Sequence, residues 1–430
     1  MGFNEKVFTH EGKNIHLIQT NKFKTIQFVV KFKAPLQKET ITKRALLPYI
    51  LRQATNQYET RTELDKQLDL LYGAGLGIDG SKKGEQHVIS FRMELPNEKF
   101  IPNSESINDQ AIHLLTDVIY NPLQAEKAFD QTIFEREKET LRQRMRSIKD
   151  DKLDYAQMRL IDEMCKNESY SLHILGSESD LEKLNANVLY EYYTTMLSQD
   201  ELDIYVVGDF DLKNLKAKIT NAFDKGKRNV YTDKTLAFRN RLSISKTKEI
   251  IEKESIQQAK LHIGYRTNCT FNDDQYAALL VFNGIFGGFP NSKLFMNVRE
   301  KHSLAYYAAS RIESYKGLMF VFSGIAPEDY KKALEIIELQ FEEMQNGQFS
   351  EEILEETKGL LLNDYLETLD HPQGIVELYY QGIIADSNIK PNDLMDRIKQ
   401  VTYEDVVQVG KSITKDTIYL LTNQRGEYNE

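Results

Sequence analysis

The sequence lies over itself. Displaced by about 220 residues, Phe129 falls on Phe349, Ile133 on Ile353, Glu135 on Glu355, Lys138 on Lys358, Leu141 on Leu361 and Asp150 on Asp370. Further out, Asp203-Ile204-Tyr205 meets Asp416-Thr417-Ile418-Tyr419, and Gly84 ahead of residues 87–93 matches Gly317 ahead of residues 318–322. Three anchors in one order and at similar spacings mark a duplication, so the chain must fold as two versions of one plan. The joint falls in the polar stretch 224–241, DKGKRNVYTDKTLAFRNR, where apolar periodicity lapses. It divides the chain into residues 1–228 and 229–430.

Both copies mix helical and strand periods. Residues 60–73, TRTELDKQLDLLYG, open with a capping box from Thr60 to Glu63, carry Leu64, Leu68 and Leu71 on one face, and stop at Gly73. Residues 331–345 place Leu334, Ile337, Phe341 and Met344 on one helical face, and Ser350 caps a further helix with Glu351 and Glu352 in its first turn. Strand patterns occupy residues 26–32, 87–93, 204–207, 260–265, 318–322 and 417–421. The expected class is α+β: two duplicated domains, each a mostly antiparallel sheet backed by helices on one side.

Composition then removes whole classes of function. Lys and Arg number 55 against 65 Asp and Glu, a formal net charge of −10, which argues against a nucleic-acid partner. The longest apolar run, residues 45–51, is far short of the ~18 residues that cross a bilayer. The opening MGFNEKVFTHEGKN carries no apolar leader, and Lys6 stands where myristoylation needs Ser or Thr. Cys165 and Cys269 form neither a disulfide framework nor a zinc clip, so the expected compartment is cytoplasmic, without membrane contact. Local catalytic motifs are missing as well. No two of the 8 histidines are three to five residues apart, which excludes H-E-x-x-H and H-x-x-E-H helices. Residues 283–293, NGIFGGFPNSK, lack the G-K-[ST] of a phosphate loop. They remain a candidate loop in which the backbone at Gly287 and Gly288 approaches a substrate closely.

Residues 275–324 carry a resemblance. QYAALLVFNGIFGGFPNSKLFMNVREKHSLAYYAASRIESYKGLMFVFSG is similar to the C-terminal domain of the pitrilysin/insulinase family, the inverted zincins and their mitochondrial processing relatives. The matching positions are Gly287-Gly288, Ser292-Lys293-Leu294-Phe295, Val298-Arg299-Glu300 and Leu304-Ala305-Tyr306. In the N-terminal half, residues 134–151 (FEREKETLRQRMRSIKDD) and Val206-Val207-Gly208-Asp209 also resemble the family. The resemblance implies that each chain of two domains forms half of a clamshell which admits unfolded peptides.

The departure from the family is as informative as the match. Active members carry H-x-x-E-H on a helix after the first strand and a further Glu ligand on a later helix. By that resemblance, Leu47 and Leu51 stand where the histidines would be, Ile50 where the general-base Glu would be, and Arg144 at the later ligand position. Leucine has no lone pair to offer, and a guanidinium repels a dication. Without zinc there is no metal-bound water lowered to roughly pKa 7, hence no hydroxide at neutral pH. Pro48 inside the same segment adds a helix penalty of ~3 kcal/mol.

The resemblance therefore implies an inactive subunit with no catalytic residue and no cofactor of its own. It is similar to one chain of those bacterial pairs in which the metal-bearing homologue, with zinc, is the partner. Peptide or a small unfolded protein would be the substrate, held by Arg299 and Tyr306. The bland alternative is that Arg299 complements its helix dipole and Tyr306 packs. Two other classes stay open, a structural scaffold subunit and a peptide-binding module without a proteolytic partner, either of which would allow a homodimer.

Overall fold

The computed structural model describes residues 3–101, 106–226, 228–230 and 246–423. Two compact units account for them. The first holds Met1–Arg146, Leu172–Leu236 and Pro372–Glu377; the second holds Ser147–Ser171, Ala237–His371 and Leu378–Glu430. We propose residues 228/229 as the junction of the two copies, with a short segment of each copy counted in the other unit.

Unit 1 is built on β1 (Asn4–His10), β2 (Lys13–Gln19), β3 (Thr25–Pro35), β4 (Gly75–Lys83) and β5 (Gln86–Pro96). A two-residue hairpin of β6 (Gln124–Ala125) and β7 (Ala128–Phe129) follows, and then β8 (Glu201–Gly208). Unit 2 contributes β9 (Lys248–Lys253), β10 (Ala259–Arg266), β11 (Ala305–Glu313), β12 (Leu318–Ile325) and β13 (Thr414–Thr422). The first sheet runs β1-β2-β8-β3-β5-β4 and the second β11-β12-β10-β13-β9. Read from its other edge, the second becomes β9-β13-β10-β12-β11, which is the first without β1. The parallel pairs correspond too: β2 with β8, and β9 with β13. All other pairings are antiparallel. The duplicated α+β fold read from the sequence is the fold found, but helices do not keep to one side: in unit 2 the helix Lys152–Met164 packs Leu160 and Met164 against Phe320 and Tyr419 on the other face of the sheet.

Side chains repeat along with the topology. Asp130 accepts from the Ile133 amide at 2.9 Å, and Ser350, at the equivalent position, accepts from the Ile353 amide at 3.2 Å. In the helix Gln131–Ser147, Lys138 is buried and donates to the Leu184 carbonyl at 2.9 Å. In Glu351–Thr368, Lys358 is buried and donates to the Val401 carbonyl, also at 2.9 Å. Both carbonyls immediately precede a helix N-cap, Asn185 and Thr402. A buried ammonium is tolerated only when its donors are met, so the two lysines bind the same pair of elements in each unit. The Thr60–Glu63 capping box also forms, with reciprocal bonds of 3.2 and 3.1 Å.

Helices cover one face of the first sheet over a core of Phe28, Phe32, Phe91, Phe134 and Leu141, all close to zero exposure. Each such side chain contributes roughly 1.5–3 kcal/mol by leaving water. The helix Lys38–Leu51 runs through Pro48 without ending, because burial of most of its apolar residues outweighs the bond that proline removes.

One buried histidine in unit 1 gives a pH signature. His16 stacks on Tyr205 with ring centroids 4.2 Å apart, and its nitrogens lie 2.8 Å from Glu5 and 3.2 Å from Asp203. Burial disfavours its charge, but hydrogen bonds to Asp203 and Glu5 outweigh burial and raise its pKa to about 9. The unfolded value is near 6.5, so the stabilisation is complete below that pH and is lost as pH rises through 9. His16→Gln should remove this dependence. Chemical denaturation of both proteins between pH 6 and 10 should show the wild type converging on the variant at the alkaline end; parallel profiles would exclude a charged His16.

Candidate functional site

Unit 2 carries an open cavity of about 780 Å³ whose wall includes Gln258, Arg299, Glu300, Tyr306, Glu328 and Asp329. Its geometry begins with the π-helical turn Phe295–Lys301. Ser292 precedes it and accepts from the Phe295 amide at 3.4 Å. The turn ends where Ser303 adopts φ 52, with the Ser303 amide on the Arg299 carbonyl and the Leu304 amide on the Val298 carbonyl, each at 3.0 Å. This left-handed exit directs the chain into β11, which starts at Ala305 just after the turn.

Arg299 therefore occupies the last helical turn. Its guanidinium lies 4.6 Å from the Phe295 ring centroid and 3.6 Å from the Glu300 carboxylate. Tyr306, two residues beyond Leu304, is 77% exposed, so burial contributes little to holding it. It stands at a break in the β11–β12 register, since Ala305 pairs with Ile325 and Tyr307 with Gly324. Both residues singled out in the sequence thus line one cavity. Gln257, Gln258, Glu328, Asp329 and Asn423, also in the wall, were not anticipated. The signal available for two of them was the Ala326-Pro327 break that ends β12 and turns the chain back along the rim.

The two glycines expected in a loop close a π-helical turn instead, Gly284–Gly288. A Cβ on Gly287 would meet Ser310 Oγ at 2.6 Å and the Ser310 amide nitrogen at 2.7 Å, so this position packs helix backbone against β11. Gly288 is exposed at the end of the same turn.

In unit 1, Leu47, Ile50 and Leu51 lie in the apolar core at 0%, 3% and 0% exposure. Arg144 is exposed in the last turn of the helix Gln131–Ser147. On the helix of the leucines Tyr49 is half-buried, as are Arg52 and Gln53 just past its end. Arg52 donates to Asp65 at 2.8 Å, and Gln53 accepts from Arg136 at 2.9 Å. Hydrocarbon and guanidinium groups do not fit a zinc ion, which needs thiolate, imidazole or carboxylate donors. Among the described residues, no group of three His, Cys, Asp or Glu could hold a metal. No helix among them is long and apolar enough to cross a membrane.

Fold and site together define a duplicated peptidase-like chain with an Arg/Tyr cavity in its second copy. The family described as Peptidase M16 inactive domain matches residues 183–361. Over 429 residues, 98% of this chain and 99% of the relative, the sequence is 43% identical to the "Probable inactive metalloprotease YmfF" of Bacillus subtilis (strain 168). The crystal structure of a conserved protein from Enterococcus faecalis V583 is 33% identical, with a TM-score of 0.90 over 99% of this chain and 100% of that one. A peptidase M16 inactive domain from Pseudomonas fluorescens, 16% identical, shares the fold at a TM-score of 0.79 over 98% of both chains. The chain belongs to the peptidase M16 family, the pitrilysin-like peptidases, and within it is an inactive-metalloprotease-like homologue.

Proposed function

We propose that this chain is the non-catalytic subunit of a two-chain zinc peptidase. It pairs with a metal-bearing homologue and offers Arg299 and Tyr306 to a peptide or small unfolded protein. The observation that carries the reading is the exposure of Tyr306 beside Arg299 on an open polar cavity. A hydroxyl and a guanidinium so placed are donors without a structural task of comparable weight, and suit peptide carbonyls and a developing oxyanion. The leucines and isoleucine at the presumed ligand positions agree with zinc being held elsewhere. The proposed compartment is the cytoplasm, where the buried thiols of Cys165 and Cys269 stay reduced.

The test is reconstitution with a homologous chain of similar length that bears H-x-x-E-H, taken from the same genome. Elemental analysis should find zinc in the mixture but none held stoichiometrically by this chain alone. Size-exclusion chromatography with light scattering should show a heterodimer, and peptide hydrolysis should require both chains. One tightly held zinc on the isolated chain with chelator-sensitive cleavage would overturn the reading. A stable homodimer that binds peptide and ignores the homologue would replace it with a peptide-binding module.

A further inference from the structure

Tyr306 leaves the sheet because β11 and β12 fall out of step there. Two residues of β11, Tyr306 and Tyr307, are spent on the single step from Ile325 to Gly324, which is a β-bulge. Without the extra residue, Tyr306 would sit opposite Gly324 and every later side chain of β11 would change faces, turning out the buried Ala308 and Ser310.

The row beneath the bulge shows what holds it. Tyr307 pairs with Gly324, and Gly324 pairs on its other side with Lys260 of β10. Because Gly324 has no side chain, the Tyr307 ring lies where a Cβ would stand, and Gln258 Oε1 would be 2.8 Å from the same point. The ring reaches across to Lys260, whose Nζ is 5.5 Å from its centroid and donates to Gln258 at 2.6 Å. The Tyr307 hydroxyl is buried with no hydrogen-bond partner among the described residues, so the ring and not its oxygen makes the seat. Gly324 is absent from the positive-φ residues; what its place requires is room.

We propose that Gly324 is a positioning residue. Its missing side chain lets the Tyr307 ring cross β12, and that seat fixes the bulge which sends Tyr306 into the cavity beside Arg299. The geometry stands on the register alone; its consequence for peptide cleavage rests on the function proposed above.

Nitration by tetranitromethane, mapped by mass spectrometry, reads the geometry in the full chain, with exposed Tyr72 as the internal reference. Gly324→Ala and Tyr307→Ala should each lower Tyr306 nitration several-fold relative to Tyr72, whereas Tyr307→Phe should leave it unchanged. In the reconstituted pair, the two disruptive variants should fall to the activity of Tyr306→Phe, about tenfold or more below wild type, with no further loss in the Gly324→Ala/Tyr306→Phe double variant. Should Gly324→Ala fail to fold, Tyr307→Ala removes the ring without adding bulk and decides the question. Unchanged nitration in both disruptive variants would overturn the inference, as would a loss of nitration in Tyr307→Phe equal to theirs. If Tyr306→Phe itself keeps full activity, the functional reading fails while nitration still judges the bulge.

Discussion

Arg44→Met should cost unit 1 about 3–5 kcal/mol, the penalty for breaking a buried charge pair by removing one partner. Arg44 is fully buried, and every donor of its guanidinium is used. Its Nε donates to His87 Nδ1 at 2.9 Å, and one terminal nitrogen reaches Asp200 at 2.6 Å and the Tyr192 hydroxyl at 3.1 Å. The other serves the carbonyls of Phe32 at 3.0 Å and His87 at 3.2 Å. Burial, assisted by the Arg44 charge, holds the His87 pKa well below its ordinary value, so His87 is neutral and can accept at Nδ1. One side chain thus ties the helix Lys38–Leu51 to β3, β5 and the end of Ala186–Gln199. Lysine cannot substitute, because a single ammonium cannot span that fork. Urea titration followed by circular dichroism should show an early transition for unit 1 in Arg44→Met, with unit 2 unfolding near its wild-type midpoint. Adding Asp200→Leu should recover part of the loss, since it removes the stranded carboxylate. A shift below ~1 kcal/mol would mean that water reaches this network and that it is not a keystone.

The contrast between what was readable and what was not follows from the range of each interaction. The duplication was legible because its anchors are local: a cap three residues from its amide, a helix stripe, a lysine at a fixed offset from both. The same holds for the approach to the site, where the helix, the turn and β11 lie within twenty residues of sequence and bring Arg299 and Tyr306 to one cavity. Arg44 gave no signal, since its partners stand at positions 32, 87, 192 and 200 and only the folded sheet collects them. The helix Tyr330–Gln345 shows the intermediate case. Its buried stripe is shifted toward Ala333, Ile336 and Gln340, and polar Gln340 is inside because Asn297 donates to it at 2.8 Å. Apolar periodicity cannot foresee a buried amide that has found a partner. The bulge at Tyr306 depends on cross-strand register, and Gly324 falls two residues past the strand pattern 318–322, so no local signal marked it. Of the four presumed metal positions, Arg144 is exposed and the other three, Leu47, Ile50 and Leu51, are on the helix Lys38–Leu51. These three face the core, and what the helix Lys38–Leu51 presents outward is carried by exposed Lys38 and Glu39 and half-buried Thr40, Lys43 and Tyr49.

Arg299→Ala and Tyr306→Phe should each lower the activity of the reconstituted pair by at least about tenfold, and as much as 10²–10³-fold if the lost donor serves only the transition state. The physical ground for an effect on rate and not on folding is exposure. Tyr306 is 77% exposed and contributes little burial to unit 2, and the Arg299 side chain, 42% exposed, is only partly covered. Their ground-state attachments are weak: Arg299 has a ring at 4.6 Å and a neighbouring carboxylate at 3.6 Å. An ion pair so exposed is worth at most ~1 kcal/mol, and its loss should leave the melting profile and the pairing with the homologue unchanged. The two donors differ in kind, which separates their kinetic signatures. Arg299 offers a fork suited to peptide carbonyls in the bound substrate, so its removal should raise KM as well as lower kcat. Tyr306 offers one hydroxyl; if that hydroxyl bonds only the developing oxyanion, Tyr306→Phe should lower kcat with KM nearly constant. Lys301→Ala, on the same turn, is the control and should change little. Full activity in both site variants would leave this chain as a cover for the partner's catalytic centre and assign the Arg/Tyr pair to the surface. A loss in both KM and kcat for Arg299→Ala, with kcat alone falling for Tyr306→Phe, would place the substrate backbone along this cavity, its scissile carbonyl at the tyrosine.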